Sequence, residues 1–185
     1  MFYFTSDLHF HHKNMILRYG RTSFSSVEEM NETIIKNINS TVKESDALFI
    51  LGDIGFGPKL GTYDCLLKIN CKHLHLILGN HDERVHDKNF PDIGSRFETI
   101  TNTNTLRLPG KPEIFMFHYP VLEWPGYYRK AIHLYGHVHD IWTKNPEHAS
   151  KLELLGNRAI NVGVDVNNYF PLSINSILER FDDSV

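Results

Sequence analysis

The feature that most constrains this chain is a short apolar run that ends abruptly in polar side chains. Residues 74–78 have leucine at every second position and are followed by Gly79-Asn80-His81-Asp82. An apolar run of this length, broken by glycine, predicts a buried strand that delivers its last residues to a loop. In open α/β sheets, ligands bind beyond the carboxyl ends of the strands. Taken alone, the tetrapeptide fits equally well a polar turn that caps a helix at Asp82.

Four further predicted strands end in the same kind of side chain. These side chains are Asp7 and His9 after residues 1–5, Asp53 after 47–51, His118 after 113–117, and His137 and His139 after 131–135. In extended chain, residues i and i+2 face the same way, so Asp7 and His9 share a direction, as do His137 and His139. Five coincident clusters are hard to explain by packing. Carboxylates, a carboxamide and imidazoles without thiolates are the ligands of hard to borderline divalent metals.

Together with Asn80 these side chains outnumber the ligands that one ion needs. Two ions that share a bridging carboxylate would use them all, at a separation of about 3.5–4 Å. The pattern therefore predicts a dinuclear metal centre.

The first half of the chain alternates predicted strands and helices. Ser25 and Ser26 begin two overlapping capping boxes, and apolar residues then recur at helical spacing to about residue 40. Residues 54–61 are a glycine-rich loop, and residues 62–70 are a second predicted helix. Two strand–helix–strand units predict a mainly parallel sheet.

The second half of the chain is predicted to lack this alternation of strands and helices. Pro109-Gly110-Lys111-Pro112 indicates a hairpin, and residues 140–157 are a polar loop or hairpin excursion. Residues 159–164 and 172–178 are the last predicted strands. Their close spacing favours a second, largely antiparallel sheet.

Length and composition are those of an ordinary globular protein. With 185 residues, 41% apolar and 22% charged, we expect one domain over residues 1–185. The net charge of −3 implies no general attraction to nucleic acid or to an anionic membrane. No signal or membrane span is recognisable, so we expect a cytoplasmic protein. Cys65 and Cys71 are interpreted as packing thiols, with a disulfide as the alternative.

An aromatic and basic segment follows His118. Residues 119–130 include Trp124, Tyr128 and Arg129, which could stack a nucleobase and hold a phosphate. The alternative is a loop that packs on its own domain. Both interpretations are open from the sequence.

The complete series of motifs resembles the calcineurin-like metallophosphoesterase superfamily, and most of all its small single-domain bacterial and phage-type members. The series is Asp7-x-His9, Gly52-Asp53, Gly79-Asn80-His81-Asp82, His118 and Gly136-His137-x-His139. The resemblance implies an α/β fold, a four-layer sandwich of two mixed β-sheets flanked by helices. It also implies two divalent ions, with Mn²⁺ expected and Fe, Zn or Ni as alternatives.

The resemblance assigns a role to each residue of the series. It implies that Asp7, His9 and His139 bind the first metal, that Asn80, His118 and His137 bind the second, and that Asp53 bridges both. His81, held by Asp82, would act on the phosphate or the leaving group. The stretch that follows Asp53 departs from many relatives, because residues 54–57 carry no further charged side chain. A ligand role for Asp165 is not supported by the motif.

The function implied is hydrolysis of a small phosphoester, most of all a nucleotide-like or cyclic phosphodiester. Two cations would lower the pKa of a bridging water, so that hydroxide attacks phosphorus in line. Metal or protonated His81 would stabilise the leaving oxygen. The alternatives are a phosphomonoesterase or protein phosphatase that uses the same site, and a binding scaffold that keeps the fold without catalysis. The substrate and the oligomeric state are not encoded in any recognisable motif.

Overall fold

Nine strands and six α-helices lie in the described part of the chain, which the computed structural model gives as residues 1–56, 59–82, 85 and 93–182. The strands are β1 (Phe2–Thr5), β2 (Ala47–Ile50), β3 (His73–Ile77), β4 (Thr99–Thr101), β5 (Thr103–Leu106), β6 (Ile114–Phe117), β7 (Ile132–Tyr135), β8 (Ala159–Asn161) and β9 (Leu172–Ser173). The helices are α1 (Lys13–Leu17), α2 (Val27–Thr41), α3 (Lys59–Leu67), α4 (Asp140–Thr143), α5 (Pro146–Glu153) and α6 (Ile174–Asp182).

The first sheet is mainly parallel, which confirms the prediction for the first half of the chain. Its strand order is β4-β3-β2-β1-β9, and only β9 runs antiparallel to its neighbour. Thr5 pairs with Ile50, and Ile50 pairs with Leu76. The carboxyl ends of β1, β2 and β3 therefore lie side by side at one edge of the sheet.

The second sheet has the order β5-β6-β7-β8 and is mixed. The predicted hairpin is present, since β5 pairs antiparallel with β6, but β7 is parallel to both β6 and β8. The expectation of a largely antiparallel sheet is therefore wrong. The cause lies in residues 140–157, where α4 and α5 replace the predicted loop and return the chain for a parallel crossover. Two mixed sheets flanked by helices are confirmed.

Several element boundaries differ from those predicted. α3 begins at Lys59 and ends at Leu67, whereas residues 62–70 were expected. The last predicted strand is only two residues long, because α6 begins at Ile174. In the expected loop over residues 54–61, positions 57 and 58 lie outside the described residues. The capping prediction for α2 is confirmed, since Ser26 Oγ accepts a hydrogen bond of 3.1 Å from the Glu29 amide.

Both faces of the first sheet are buried. Leu48 and Ile50 of β2 face a core that they share with Ile34 of α2. Phe49 and Leu51 point the opposite way and pack against apolar side chains of the second sheet, such as Met116. Because both faces are buried, the strand sequences are almost continuously apolar. The close packing also fixes the positions of the strand ends.

Two smaller expectations are also met. Cys65 and Cys71 are buried free thiols, and burial raises the pKa of Cys65 to about 11. None of the helices in the described ranges has both the length and the apolar character that a membrane crossing requires.

His133 makes the stability of this core depend on pH. The side chain is fully buried, and burial lowers its pKa to about 4, although the carbonyl oxygens of Phe115 and Tyr119 lie within 3.5 Å and 3.2 Å of its ring nitrogens. Below pH 6.5 His133 binds a proton in the unfolded chain but not in the folded chain. The free energy of unfolding therefore falls as the pH falls towards 4. Between pH 7 and pH 5 we expect a loss of about 2 kcal/mol from this residue.

Urea unfolding at these two pH values, with a chelator present throughout, measures that loss. In His133→Gln the free energy of unfolding should change with pH by about 2 kcal/mol less than in the wild type. The same pH dependence in both proteins would contradict this account.

Candidate metal centre

The predicted site residues converge where the ends of the two sheets meet. Beyond β1 the chain continues to pair with the segment after β2, as the Asp7 amide donates to the Gly52 carbonyl at 3.0 Å. Ser6 forms an isolated bridge with Gly163, which follows β8 of the other sheet. The loops after strands of both sheets are thereby joined at one edge of the molecule.

Gly52 shows how closely these loops approach each other. Its φ is +89°, which favours glycine, and a Cβ at this position would lie 2.6 Å from His118 Nδ1 and 2.7 Å from the Cα of Gly79. The glycine before Asp53 therefore allows three ligand-bearing loops to meet.

Six of the predicted ligands form two trios. Within each trio the nitrogen or oxygen atoms that could bind a metal lie within 4.8 Å of one another. The first trio is Asp7, His9 and His139, and the second is Asp53, His118 and His137. The first trio is the set that the resemblance implies for the first metal. The second trio combines His118 and His137, implied for the second metal, with Asp53, the implied bridge.

Asp53 belongs to the second trio and also lies beside the first. Its Oδ2 atom is 3.5 Å from His9 Nε2 of the first trio and 3.6 Å from His118 Nε2 of the second. Asn80, the seventh predicted ligand, adjoins the second trio, with Oδ1 at 3.1 Å from His118 Nε2. The arrangement suits a bridging carboxylate with a neutral oxygen ligand on one side.

Three of the histidines are fixed through Nδ1. His118 Nδ1 lies 2.7 Å from the Leu51 carbonyl, His139 Nδ1 lies 2.6 Å from Asp165 Oδ2, and His9 Nδ1 lies 3.2 Å from His12 Nδ1. Each ring thus keeps Nε2 for another partner. Metal-binding histidines typically have one nitrogen held in this way.

A metal ion fits the atom that this network leaves without a partner. His9 Nε2 is buried and makes no hydrogen bond, although Asp53 and Asp7 oxygens surround it at 3.5–4.0 Å. Burial, followed by the charge of Arg21, holds the pKa of His9 well below its usual value. The ring is therefore neutral and offers a lone pair, as a metal ligand must.

The Asp7 carboxylate is also prepared for a cation. It is 1% exposed and accepts the His137 amide at 3.0–3.1 Å. Burial raises the pKa of Asp7 to about 6, while His139 and His118 nearby act in the opposite direction. A bound divalent ion would compensate the burial of this charge.

Arg21 supports the first trio from behind. The side chain is fully buried, its Nε donates to Asp165 Oδ1 at 2.7 Å, and its Nη atoms donate to the carbonyls of Asp7 and Leu8 at 2.5 and 2.9 Å. Asp165 in turn holds His139 at 2.6 Å. Asp165 is therefore a supporting residue, in agreement with the absence of a ligand motif.

No sequence pattern marks Arg21 as buried, because arginine side chains are normally exposed. His12 also lies outside the series of motifs, yet it is 8% exposed and its Nδ1 lies 3.2 Å from His9 Nδ1.

The backbone at the centre adopts a strained conformation. Positive φ occurs at Asp7 (59°), His9 (49°), Asp53 (56°) and His137 (66°). Non-glycine residues rarely adopt this left-handed conformation, and it clusters at functional sites.

Comparison with known proteins places this chain in a family. No family model matches the chain. The uncharacterized protein MJ1445 of Methanocaldococcus jannaschii is 31% identical over 185 residues, which cover 97% of this chain and 90% of that protein. The chain belongs to the MJ1445 family.

Two further proteins are similar to this member of the MJ1445 family. The gene 66 protein of Mycobacterium phage L5 is 29% identical over 186 residues, with 88% of this chain and 86% of that protein covered. The crystal structure of the protein of unknown function AQ665 from Aquifex aeolicus superposes with a TM-score of 0.72 at 26% identity, and covers 100% of this chain and 99% of that one. The three names state no activity.

Asp82 has a different role from the one expected. Its carboxylate accepts hydrogen bonds from the amides of Asp53, Ile54 and Gly79 at 2.8, 3.0 and 2.8 Å. Since all the hydrogen bonds described for this carboxylate come from backbone amides, the expectation that Asp82 holds the His81 imidazole is wrong. Asp82 instead fastens the loop of Asp53 to the loop of Asn80.

His81 itself lies at the open side of the centre. Its side chain is 33% exposed, its amide donates to Asp53 Oδ1 at 2.9 Å, and its Nε2 is 4.0 Å from Asp53 Oδ2. It can therefore reach a molecule bound at the trios.

The expected substrate contact of Trp124 is wrong, and the packing alternative applies to it. Trp124 is 5% exposed, packs with Phe115 and Ala131, and donates its indole N–H to the Ala131 carbonyl at 3.0 Å. Tyr128 and Arg129 are exposed, and the polar partners described for them are Glu123 and Glu113. Among the described residues, the structure does not bring these two side chains together with the trios.

Substitution of Arg21 tests whether the Arg21–Asp165 pair supports the first trio. Arg21→Met should lower the free energy of unfolding of this member of the MJ1445 family by about 3–5 kcal/mol, because the variant leaves a buried carboxylate without its partner. Urea unfolding in the presence of a chelator measures the effect without a contribution from metal. The exposed neighbour Arg18 provides the control, since Arg18→Met should change stability by less than about 0.5 kcal/mol. A loss below about 1 kcal/mol for Arg21→Met would contradict the role of this pair.

Proposed function

We propose that the chain is a dinuclear metal-dependent phosphoesterase of the calcineurin-like metallophosphoesterase superfamily, with the four-layer sandwich of that superfamily, and that it acts on phosphodiesters. One observation carries the proposal. Two trios of side chains that could bind metal lie side by side, and the Asp53 carboxylate of the second trio is within 3.6 Å of a histidine nitrogen in each trio.

The donor set favours divalent ions of intermediate hardness. Carboxylates, imidazoles and one carboxamide, with no thiolate among them, suit Mn²⁺ first, and Fe, Zn or Ni as alternatives. The partnerless Nε2 atom of His9 marks the first of the two positions. When bound, two such ions supply positive charge to the phosphate oxygens and lower the pKa of a water molecule.

The chain's own residues have separate tasks in this reaction. The two trios and Asn80 would hold the ions. The hydrogen bonds that Asp82 accepts from three amides fasten together the loops that carry Asp53 and Asn80. His81 is exposed enough to meet the substrate and is close to Asp53. We assign to it the donation of a proton to the leaving oxygen.

The first expected result concerns metal content. Mn²⁺ titrated into chelator-treated protein should bind up to two ions per chain, and hydrolysis of bis(p-nitrophenyl) phosphate should require the metal. Asp53→Asn should lose metal affinity and activity together, because it weakens the shared ligand. Asp64→Asn, an equal change on the surface of α3, should retain both. Full activity at one bound ion would contradict the dinuclear proposal.

The second expected result separates His81 from the ligands. His81→Ala should lower kcat by about 10²–10⁴ while two ions remain bound, since a proton donor is lost and no ligand is removed. Elemental analysis and steady-state kinetics on the same preparation measure both quantities. Loss of metal at normal protein stability would show that His81 is a ligand instead.

A further inference from the structure

Exposed aromatic rings lie beside the first trio. Phe56 is 53% exposed, stacks on His12 with ring centroids 4.2 Å apart, and presents its ring at 89° to His81 at 5.0 Å. Tyr19 is 39% exposed and lies 6.3 Å from the ring of the ligand His139. We call Tyr19 and Phe56 the first aromatic cluster.

A second pair of rings lies beside the second trio. Tyr119 is half-buried and packs on His137 and His118 with centroid distances of 4.7 and 4.9 Å. Trp142 is 39% exposed and lies 6.2 Å from the His137 ring. We call Tyr119 and Trp142 the second aromatic cluster.

Packing in the core does not explain the positions of three of these four rings. Tyr19, Phe56 and Trp142 keep two-fifths to one-half of their surface in solvent although they adjoin a polar centre. Large apolar side chains exposed together beside such a centre are typical of a binding surface. Aromatic rings in this setting stack with planar groups such as nucleobases.

The two clusters adjoin different trios, and Asp53 of the second trio also lies beside the first. A phosphate bound at both of the proposed metal positions would therefore have an aromatic surface on each side. A monoester has only one substituent, which would leave one cluster unused. We propose that the clusters hold the two ester groups of a phosphodiester that carries a planar aromatic group on each side of phosphorus, such as two linked nucleosides. This inference rests on the proposed function.

The position of His81 indicates which ester group of the substrate lies against which aromatic cluster. Phe56 contacts His81, to which we assign proton donation to the leaving oxygen. The leaving group therefore lies against the first cluster, and the group that stays on phosphorus lies against the second.

Three Mn²⁺-dependent substrates with the same leaving group test this arrangement. Bis(p-nitrophenyl) phosphate has a ring on each side, methyl p-nitrophenyl phosphate has a ring only on the leaving side, and p-nitrophenyl phosphate is the monoester. The wild type should hydrolyse the first with the highest kcat/KM. Preference for the monoester would overturn the inference.

The variants separate the two sides. Trp142→Leu should raise KM for bis(p-nitrophenyl) phosphate about 5- to 10-fold, and KM for the methyl ester less than about twofold. Phe56→Leu should raise KM for both diesters by about the same 5- to 10-fold. The matched control is Tyr128→Leu, which removes a ring that is 82% exposed and bonded to Glu123, and it should leave every KM unchanged. Equal effects of Trp142→Leu on the two diesters would overturn the assignment of sides.

Binding without turnover provides a second measurement. Calorimetry should show that the Mn²⁺-loaded wild type binds diphenylphosphinate, which has no ester bond, about 5- to 10-fold more tightly than methylphenylphosphinate, and that Trp142→Leu removes the difference. If no ester is hydrolysed but this difference is found, the proposed function fails and the aromatic clusters stand. If esters are hydrolysed but neither the variants nor the phosphinates differ, the clusters fail and the proposed function stands.

Discussion

The centre depends on an excess of buried negative charge. Asp7, Asp53 and Asp82 are each at most 2% exposed, whereas Arg21 alone among the lysines and arginines of the described residues is buried, and it is bonded to Asp165. Asp82 is compensated by three amides. Asp7 and Asp53 have no such fixed cation, and burial keeps the neighbouring His9 neutral. A buried carboxylate without full compensation costs several kcal/mol, and the metal ions proposed above would supply positive charge to Asp7 and Asp53. Binding of the proposed ions would then be coupled to the stability of the loops.

The imidazoles are positioned by contacts that need no ion. The Leu51 carbonyl, Asp165 and His12 each engage the Nδ1 atom of a different histidine, which leaves the opposite nitrogen directed at the centre. Because these contacts connect the loops to buried strands, few side chains have to become ordered when a ligand binds. Such preorganisation increases affinity by reducing the entropy lost on binding.

The convergence of the candidate ligands could be predicted from the sequence, but the residues that support them could not. Parallel strands place their carboxyl ends at one edge, so polar residues after successive apolar runs must converge. The contact between Arg21 and Asp165 joins residues 144 positions apart and leaves no local pattern. Asp82 was misjudged for the same reason, since two of its three partners are amides of another loop. The helices over residues 140–157 were missed because none of their side chains is buried, so apolar periodicity is weak.

Local sequence patterns also do not show which aromatic side chains are buried. Trp124 and Trp142 both follow a strand that ends in a candidate ligand. The Trp124 ring is buried, whereas the Trp142 ring is 39% exposed, packs on His148 and lies 6.2 Å from His137. The exposed rings lie close in sequence to ligands, since Phe56 follows Asp53 by three residues and Trp142 follows His139 by three. The loop that carries the candidate ligand positions such a ring. Because the side chain is exposed, it contributes little to the free energy of unfolding. Under the proposed function, substitution of a ring would therefore change the ester groups that fit without disturbing the buried carboxylates of the two trios.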